Sequence, residues 1–191
     1  MDLALEIKVA TRPRAAAGFL LVAGLALPQT RNLLEQSLVG HMLIQLPLLC
    51  AAGWWGSVTL GKRLAGLSDF APAFVLTALF ATIFWMLPRW LDAALTEPLV
   101  EALKFVTVPL FIGAPLGLAW AQLGTVVRGF IWANAISMLM ILGWLYLAAP
   151  ARVCNNYLLE QQETFGWAAL AAALGISLYW TLLALFGSWN R

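Results

Sequence analysis

Residues 129–149 read GFIWANAISMLMILGWLYLAA, an apolar run without a single Asp, Glu, Lys or Arg. A bilayer core of ~30 Å is crossed by about 20 apolar helical residues, so this run is long enough to span a membrane. The rest of the 191-residue chain is similar, with 62% hydrophobic residues, 10% charged residues and a mean hydropathy of +0.85. Because soluble domains carry about 25% charged residues, the composition excludes an ordinary soluble protein.

Five more windows lack charged side chains, and together the six predict about six transmembrane helices. The windows are 15–30, 36–61, 70–88, 105–127, 129–151 and 164–190. We place the spans at about 14–29, 37–60, 70–88, 103–123, 129–149 and 164–187. Such spans are too long for barrel strands of ~9–11 residues, and backbone polar groups in a bilayer must be satisfied within the protein. The sequence therefore predicts an all-α integral membrane bundle, a single transmembrane domain over 1–191 in contact with lipid.

The first span is the shortest, and a second interpretation of it stays open. Lys8, Arg12 and Arg14 precede the apolar residues 15–27, as the basic flank of a secretory signal peptide would. No small-x-small cleavage site follows Leu27, which favours a short retained span.

Charges between the spans predict the orientation. Seven basic residues fall on one side: Lys8, Arg12, Arg14, Lys62, Arg63, Arg128 and Arg191. The other side has four basic residues, Arg31, Arg89, Lys104 and Arg152, and six acidic ones, Glu35, Asp92, Glu97, Glu101, Glu160 and Glu163. Basic loops stay in the cytoplasm. Both termini are thus predicted to be cytoplasmic, as in a protein of a bacterial-type inner membrane.

Most other activities have no signature in the sequence. A net charge of +2 without a basic face excludes nucleic-acid binding. Cys50 and Cys154 are not expected to form a disulfide, and the single histidine, His41, excludes a bis-histidine haem or a histidine–cysteine zinc cluster. No catalytic triad or phosphate-binding loop is found, so an enzyme is not predicted.

The charged segment 89–104 predicts a solvated connector on the outer side. It includes Arg89, Asp92, Glu97, Glu101 and Lys104. Its amphipathic part, residues 90–95, could lie along the membrane interface as a short helix.

Few polar or soft side chains lie in the predicted spans, and these are the candidates for a site. His41 has Gln45 at i+4 on the same helix face. This pair could hold a metal, bind a quinone carbonyl or hydrogen-bond another helix. Met86 and Glu101 are predicted at the same outer depth, whereas Met42 points about 100° away from His41. Imidazole and thioether groups suit Cu(I), so these five residues are the candidate metal ligands.

Prolines and small residues indicate irregular, closely packed helices. Pro47, Pro109 and Pro115 each remove a helix hydrogen bond, which predicts kinks in the second and fourth spans. Gly113 and Gly117 form a small-xxx-small pair that lets another helix approach closely.

Several motifs, in their order along the chain, resemble those of one family. Residues 37–46 read SLVGHMLIQL, residues 84–95 read FWMLPRWLDAAL and residues 100–105 read VEALKF. They resemble the HMxxH, WHxP…aaL and vHxxEH motifs of the CtaG family of caa3-type cytochrome c oxidase assembly factors. RAAAGFL at 14–20 is similar to the family's preceding helix. Residues 160–162, which read EQQ, with Gly166 and Trp167 are similar to its DQ…G…W motif. The resemblance covers about residues 12–170.

The departures from the family fall on the residues that would bind a metal. Only His41 remains of the histidine pattern; the other histidine positions hold Gln45, Met86, Glu101 and Phe105, and Lys104 replaces the acid. The resemblance implies a membrane-embedded assembly factor that handles copper, as Cu(I), for a haem-copper oxidase, with outward-facing ligands. The oxidase or its subunits would be the partner.

Two other functions remain open on the sequence. One is a non-catalytic integral subunit or scaffold of a respiratory or other membrane complex that has lost the metal site, using the Gly113 and Gly117 face and the acidic outer rim. The other is a small transporter or quinone-binding subunit built on the proline-broken helices. Inverted repeats should accompany a transporter of that type, and we find none.

Overall fold

The computed structural model describes the backbone of residues 2–61 and 70–186 and the side chains of 14–57 and 70–186. Lys8, Arg12, Lys62, Arg63 and Arg191, which the orientation argument uses, lie outside the described side chains. The predicted orientation therefore stays a prediction.

Every regular element of the described residues is a helix, which confirms the all-α class. The first of two compact units, Met1–Leu123, contains α1 (Asp2–Ala26), α2 (Pro28–Glu35), a π-helix π1 (Gly40–Gln45), α3 (Leu46–Gly61), α4 (Ala71–Met86), α5 (Pro88–Thr96), α6 (Pro98–Val108), a second π-helix π2 (Pro109–Gly113), α7 (Ala114–Ala119) and a 3₁₀ turn (Trp120–Gln122). The second unit, Gly124–Arg191, contains α8 (Thr125–Ala148) and α9 (Leu159–Phe186). The single domain over 1–191 stays a prediction.

The number of possible spans is smaller than the sequence predicts. Among the described residues, three helical stretches are long and apolar enough to cross a membrane: Pro98–Gln122, Thr125–Ala148 and Leu159–Phe186. A fourth is obtained if α4 and α5, which are bent by 69°, count as one. Six spans are thus not supported. Within α1, the described side chains form the short apolar helix Arg14–Ala26. The predicted span 37–60 is occupied by π1 and the 16-residue α3.

Proline sets the boundaries of the helices around α5. Leu87 and Glu97 have extended backbones, with ψ of 124° and 112°, because a residue that precedes proline avoids the helical region. Pro88 and Pro98 then begin α5 and α6, where a missing N–H costs nothing. These two breaks isolate α5, so the short helix predicted at 90–95 is confirmed.

π-Helical turns lie at Pro109 and immediately before Pro47, two of the positions where the sequence predicts kinks. The N–H of Leu46 donates to the carbonyl of His41, five residues back, immediately before Pro47. At π2 the N–H of Ala114 donates to the carbonyl of Pro109. A wider turn absorbs the irregularity that proline introduces, and such turns are frequent at functional sites.

Glycines bring α3 into backbone contact with the α6–π2–α7 stretch. A Cβ on Gly113 would collide with the carbonyl oxygen of Cys50, and one on Gly53 with that of Pro109. A Cβ on Gly117 would collide with the hydroxyl of Ser57. The close approach predicted for Gly113 and Gly117 is therefore confirmed, and α3 is the helix that approaches.

The second unit is a pair of helices joined by a loop that one side chain holds. Gln162 Oε1 accepts from the N–H of Val153 at 2.9 Å, and its Nε2 donates to the carbonyls of Cys154 and Tyr157, each at 2.9 Å. One turn on, a Cβ on Gly166 would lie 3.0 Å from the carbonyl oxygen of Gly143. Gln162, in the segment that resembles the DQ…G…W motif, therefore holds the loop, and Gly166 lets α9 approach α8 closely. Both cysteines are free, as expected.

We expect Gly113→Ala to lower the free energy of unfolding by about 1–3 kcal/mol, because the added methyl group must push α3 away. Gly24→Ala is the matched control, since a Cβ there meets nothing within 4 Å. It should be neutral or stabilising by up to ~1 kcal/mol. Thermal unfolding in detergent measures both, and equal midpoints for the two variants would contradict the packing described.

Candidate functional site

A reversal between α2 and π1 brings Glu35 towards the buried face of π1. The hydroxyl of Ser37 accepts from the N–H of Gly40 at 3.0 Å and caps the new helix. Gly40 lies so close to α2 that a Cβ would collide with the carbonyl oxygen of Leu34. Only glycine fits here, because the α2 backbone occupies the space of a side chain.

Lys104, on α6, is the centre of the site. Its side chain is fully buried, as are those of His41 and Gln45. The Nζ atom lies 2.7 Å from Oε1 of Glu35, 3.1 Å from Nε2 of His41 and 3.1 Å from Oε1 of Gln45. We call these four residues the Lys104 cluster. It joins α2, π1 and α6, and Lys104 is 59 to 69 positions away in sequence from the other three residues.

Hydrogen bonding at the ammonium is complete. An ammonium has three donors and no acceptor, and Glu35, Gln45 and His41 take one donor each. The amide of Gln45 closes a ring, because its Nε2 donates to the same Oε1 of Glu35 at 3.1 Å. His41 Nε2 must then be the unprotonated nitrogen, which assigns the neutral tautomer with its proton on Nδ1.

A second ion pair lies at the outer edge of the Lys104 cluster. Arg31 Nη1 is 2.7 Å from Oε1 of Glu101, and Arg31 Nε is 3.8 Å from Oε2 of Glu35. The side chain of Arg31 is 36% exposed, whereas that of Glu35 is 11% exposed. The positive charges of Arg31 and Lys104 thus balance the negative charges of Glu35 and Glu101. His41 and Gln45 are neutral and add no charge.

The structure gathers some of the predicted ligands and separates others. His41 and Gln45 point to one place, as expected from their i, i+4 spacing. Glu101 is paired with Arg31 instead. Met42 is buried, and Met86 ends α4 with its side chain partly exposed; neither accepts a hydrogen bond from Lys104.

A copper ion does not fit these residues. Among the described residues, no three His, Cys, Asp or Glu side chains are grouped as metal ligands. The imidazole nitrogen that would bind Cu(I) already faces the Lys104 ammonium. Because the four charges balance, a metal ion would bring an uncompensated positive charge into a buried site, where isolated charge is costly.

Sequence reasoning missed the two residues that matter most. The interpretation of Lys104 as part of a solvated connector was wrong, because its side chain is fully buried. Glu35 was counted only as an outer-side charge. Arg31 and Glu35, an i, i+4 pair beside a predicted span, gave the one usable signal, since such a pair shares a helix face. Nothing local indicates that Lys104 lies against that face.

Comparison with known proteins does not identify a family for this chain. No family model, curated protein or solved structure matches the chain. The resemblance to the CtaG family therefore stays a prediction that depends on the order of the motifs, and function has to be argued from the residues themselves.

Lys104→Met should lower the free energy of unfolding by about 3–5 kcal/mol, because Glu35 would be left as a buried charge without its partner. The double variant Lys104→Met/Glu35→Gln should recover a large part of this loss. Glu101→Gln is the control in the more exposed pair and should cost about 0–1 kcal/mol. Denaturation of each variant in the same detergent gives the comparison. Strictly additive effects of the Lys104 and Glu35 substitutions would contradict the ion pair.

Proposed function

We propose that this chain is a membrane-embedded scaffold for the assembly of a haem-copper oxidase, similar to CtaG proteins, that works without bound copper. The observation that carries the proposal is the position of Lys104 Nζ within hydrogen-bond distance of Glu35, His41 and Gln45. A cation of the protein itself lies where the resemblance would place a metal.

Side chains from two of the CtaG-like motifs meet in the Lys104 cluster, and this supports a relationship to the CtaG family. His41 and Gln45 stand at the two histidine positions of the HMxxH motif, and Lys104 at the acid of vHxxEH. These motifs are about 60 residues apart, yet their side chains meet in one cluster. Residues that once shared a ligand would be expected to meet in this way, whereas an accidental likeness of apolar helices would not require it.

Replacement of a metal by an ammonium explains the pattern of departures. A cation surrounded by a carboxylate oxygen, an amide oxygen and an imidazole nitrogen keeps the packing that a metal would otherwise organise. The exchange removes imidazoles that would bind Cu(I), because Gln45, Glu101 and Phe105 stand at histidine positions of the motifs, and Lys104 stands at the position of the acid. The chain would keep its shape and lose copper chemistry.

The Gly113 and Gly117 face, on π2 and α7, is not the partner surface that the scaffold interpretation assumed. Gly113 and Gly117 are covered by α3 within the same unit. Charged outer residues remain for that role: Arg89, Glu97, Glu160 and Glu163 are all exposed. We place them on the outer side of a bacterial-type inner membrane, with both termini in the cytoplasm.

Anaerobic titration with Cu(I) against a competing chelator separates the scaffold from a copper carrier. The wild-type protein should not compete with the chelator, because the Lys104 cluster has no place for a second cation. His41→Ala and Met86→Leu should behave like wild type. Tight one-to-one binding that both substitutions abolish would establish a copper-handling protein instead.

A tagged full-length chain, purified in mild detergent from its native membrane, tests the partner. Subunits of a haem-copper oxidase should copurify in a fixed ratio, and deletion of the gene should lower the amount of assembled oxidase. A chain that runs alone and whose deletion leaves the oxidase unchanged would contradict the proposal.

A further inference from the structure

The side of α8 that faces away from α9 carries a row of residues with heptad spacing. Towards α9, α8 presents Leu142, Gly143 and Tyr146, which are buried. On the opposite side, six residues follow one another at alternating intervals of three and four: Val127, Phe130, Asn134, Ser137, Ile141 and Trp144. We call these six residues the α8 seam. The four apolar members are 38–67% exposed, and this spacing is the one by which two parallel helices pack against each other.

Two polar side chains of the α8 seam have no partner. Asn134 and Ser137 lie near the middle of the 24-residue α8, and within the described part of the chain neither side chain makes a hydrogen bond. On α9 the hydroxyls are paired: Ser177 donates to the carbonyl of Ala173 at 2.7 Å, and Thr181 to that of Ser177 at 2.8 Å. An unpaired amide in a bilayer has no water to bind, which is costly. The α8 seam therefore needs a polar partner from outside α8 and α9.

The chemistry of asparagine indicates which partner this is. An asparagine amide has both donors and an acceptor, so two asparagines that face each other satisfy one another. Copies of one chain enter a membrane in the same orientation, so their α8 helices run parallel. Around a two-fold axis each residue of the seam then meets its own counterpart, and Asn134 faces Asn134. A single asparagine at such a position of a parallel coiled coil specifies register and oligomeric state.

Other neighbours would satisfy the α8 seam less well. Lipid tails would leave the amide of Asn134 unpaired. A helix of a different protein would have to supply a matching polar group at the same depth, whereas a second copy of α8 supplies it by symmetry. The small side chain of Ser137, in the next layer of the seam, lets two helix backbones approach closely.

We propose that the α8 seam is a dimerisation surface, and that its partner is the α8 seam of a second copy of this chain. The dimer is held by close packing of the seam and by hydrogen bonds between the two Asn134 amides. This inference does not depend on the proposed function, because it uses no residue of the Lys104 cluster.

Fluorescence energy transfer between donor- and acceptor-labelled full-length chains, co-reconstituted in phosphatidylcholine vesicles at a series of protein-to-lipid ratios, measures the dimer. Wild type should give a transfer signal that rises with the ratio and fits a dimer. Asn134→Leu should weaken dimerisation about tenfold, the loss expected when two interhelical hydrogen bonds are removed in a membrane. Asn134→Gln keeps the amide and should retain most of the affinity. Thr181→Val is the matched control, because Thr181 is exposed on α9 and its hydroxyl is paired within that helix.

Cross-linking gives a second measurement that does not depend on the Asn134 variants. Ser137→Cys in vesicles should form a covalent dimer with a short bis-maleimide. Leu178→Cys, at an exposed position of α9, should form far less, and wild type gives the background from Cys50 and Cys154. Three results would overturn the proposal: a monomeric wild type at every ratio, equal dimerisation of Asn134→Leu and Thr181→Val, or equal cross-linking of the two cysteine variants.

Discussion

The ion pair between Lys104 and Glu35 is the interaction on which the first unit depends. A lysine inside an apolar helix is unfavourable unless all its donors are satisfied. Here the three acceptors come from α2 and π1, so neither segment can shift without leaving a donor of the buried ammonium unsatisfied. The reversal at Ser37, the close contact at Gly40 and the wide turn of π1 all serve to present those acceptors. Buried ion pairs contribute little net stability, but they impose one arrangement, because any other leaves a charge unpaired.

The second constraint is backbone contact between α3 and π2, which directly follows the helix that carries Lys104. A Cβ on Gly53 would meet Pro109 and one on Gly113 would meet Cys50, so both ends of π2 lie against α3. Interhelical contact in a membrane depends on close packing rather than on the hydrophobic effect, which explains the use of small residues here. The depth of Lys104 relative to His41 is therefore fixed by packing one to two turns away as well as by the hydrogen bonds.

The all-α class, the short helix after Pro88, the shared face of His41 and Gln45 and the role of Gly113 could all be predicted from sequence. Each of these features depends on helical periodicity or on the properties of a single residue. Both can be recognised within a short stretch of sequence. The contact of Lys104 with Glu35 could not be predicted, because a charge beside a span looks the same whether it points to water or to a partner 69 residues away. The count of six spans is not supported, and one reason is related. Hydropathy does not register the 69° bend between α4 and α5, which leaves α4 alone with 16 residues.

The order in which the chain is synthesised affects how α6, the helix that carries Lys104, enters the membrane. Glu35, His41 and Gln45 leave the ribosome well before Lys104, and N-terminal parts of a chain fold first during synthesis. A lysine within a lone helix is costly to insert into a membrane, and Lys104 lies in the second turn of the apolar stretch Pro98–Gln122. When α6 enters the membrane, the acceptors for its ammonium are already in place, so the earlier helices lower the barrier to inserting the later one. A truncated chain that begins after α3 would have to insert α6 without that help, and the biogenesis of the protein is thereby tied to its N-terminal half.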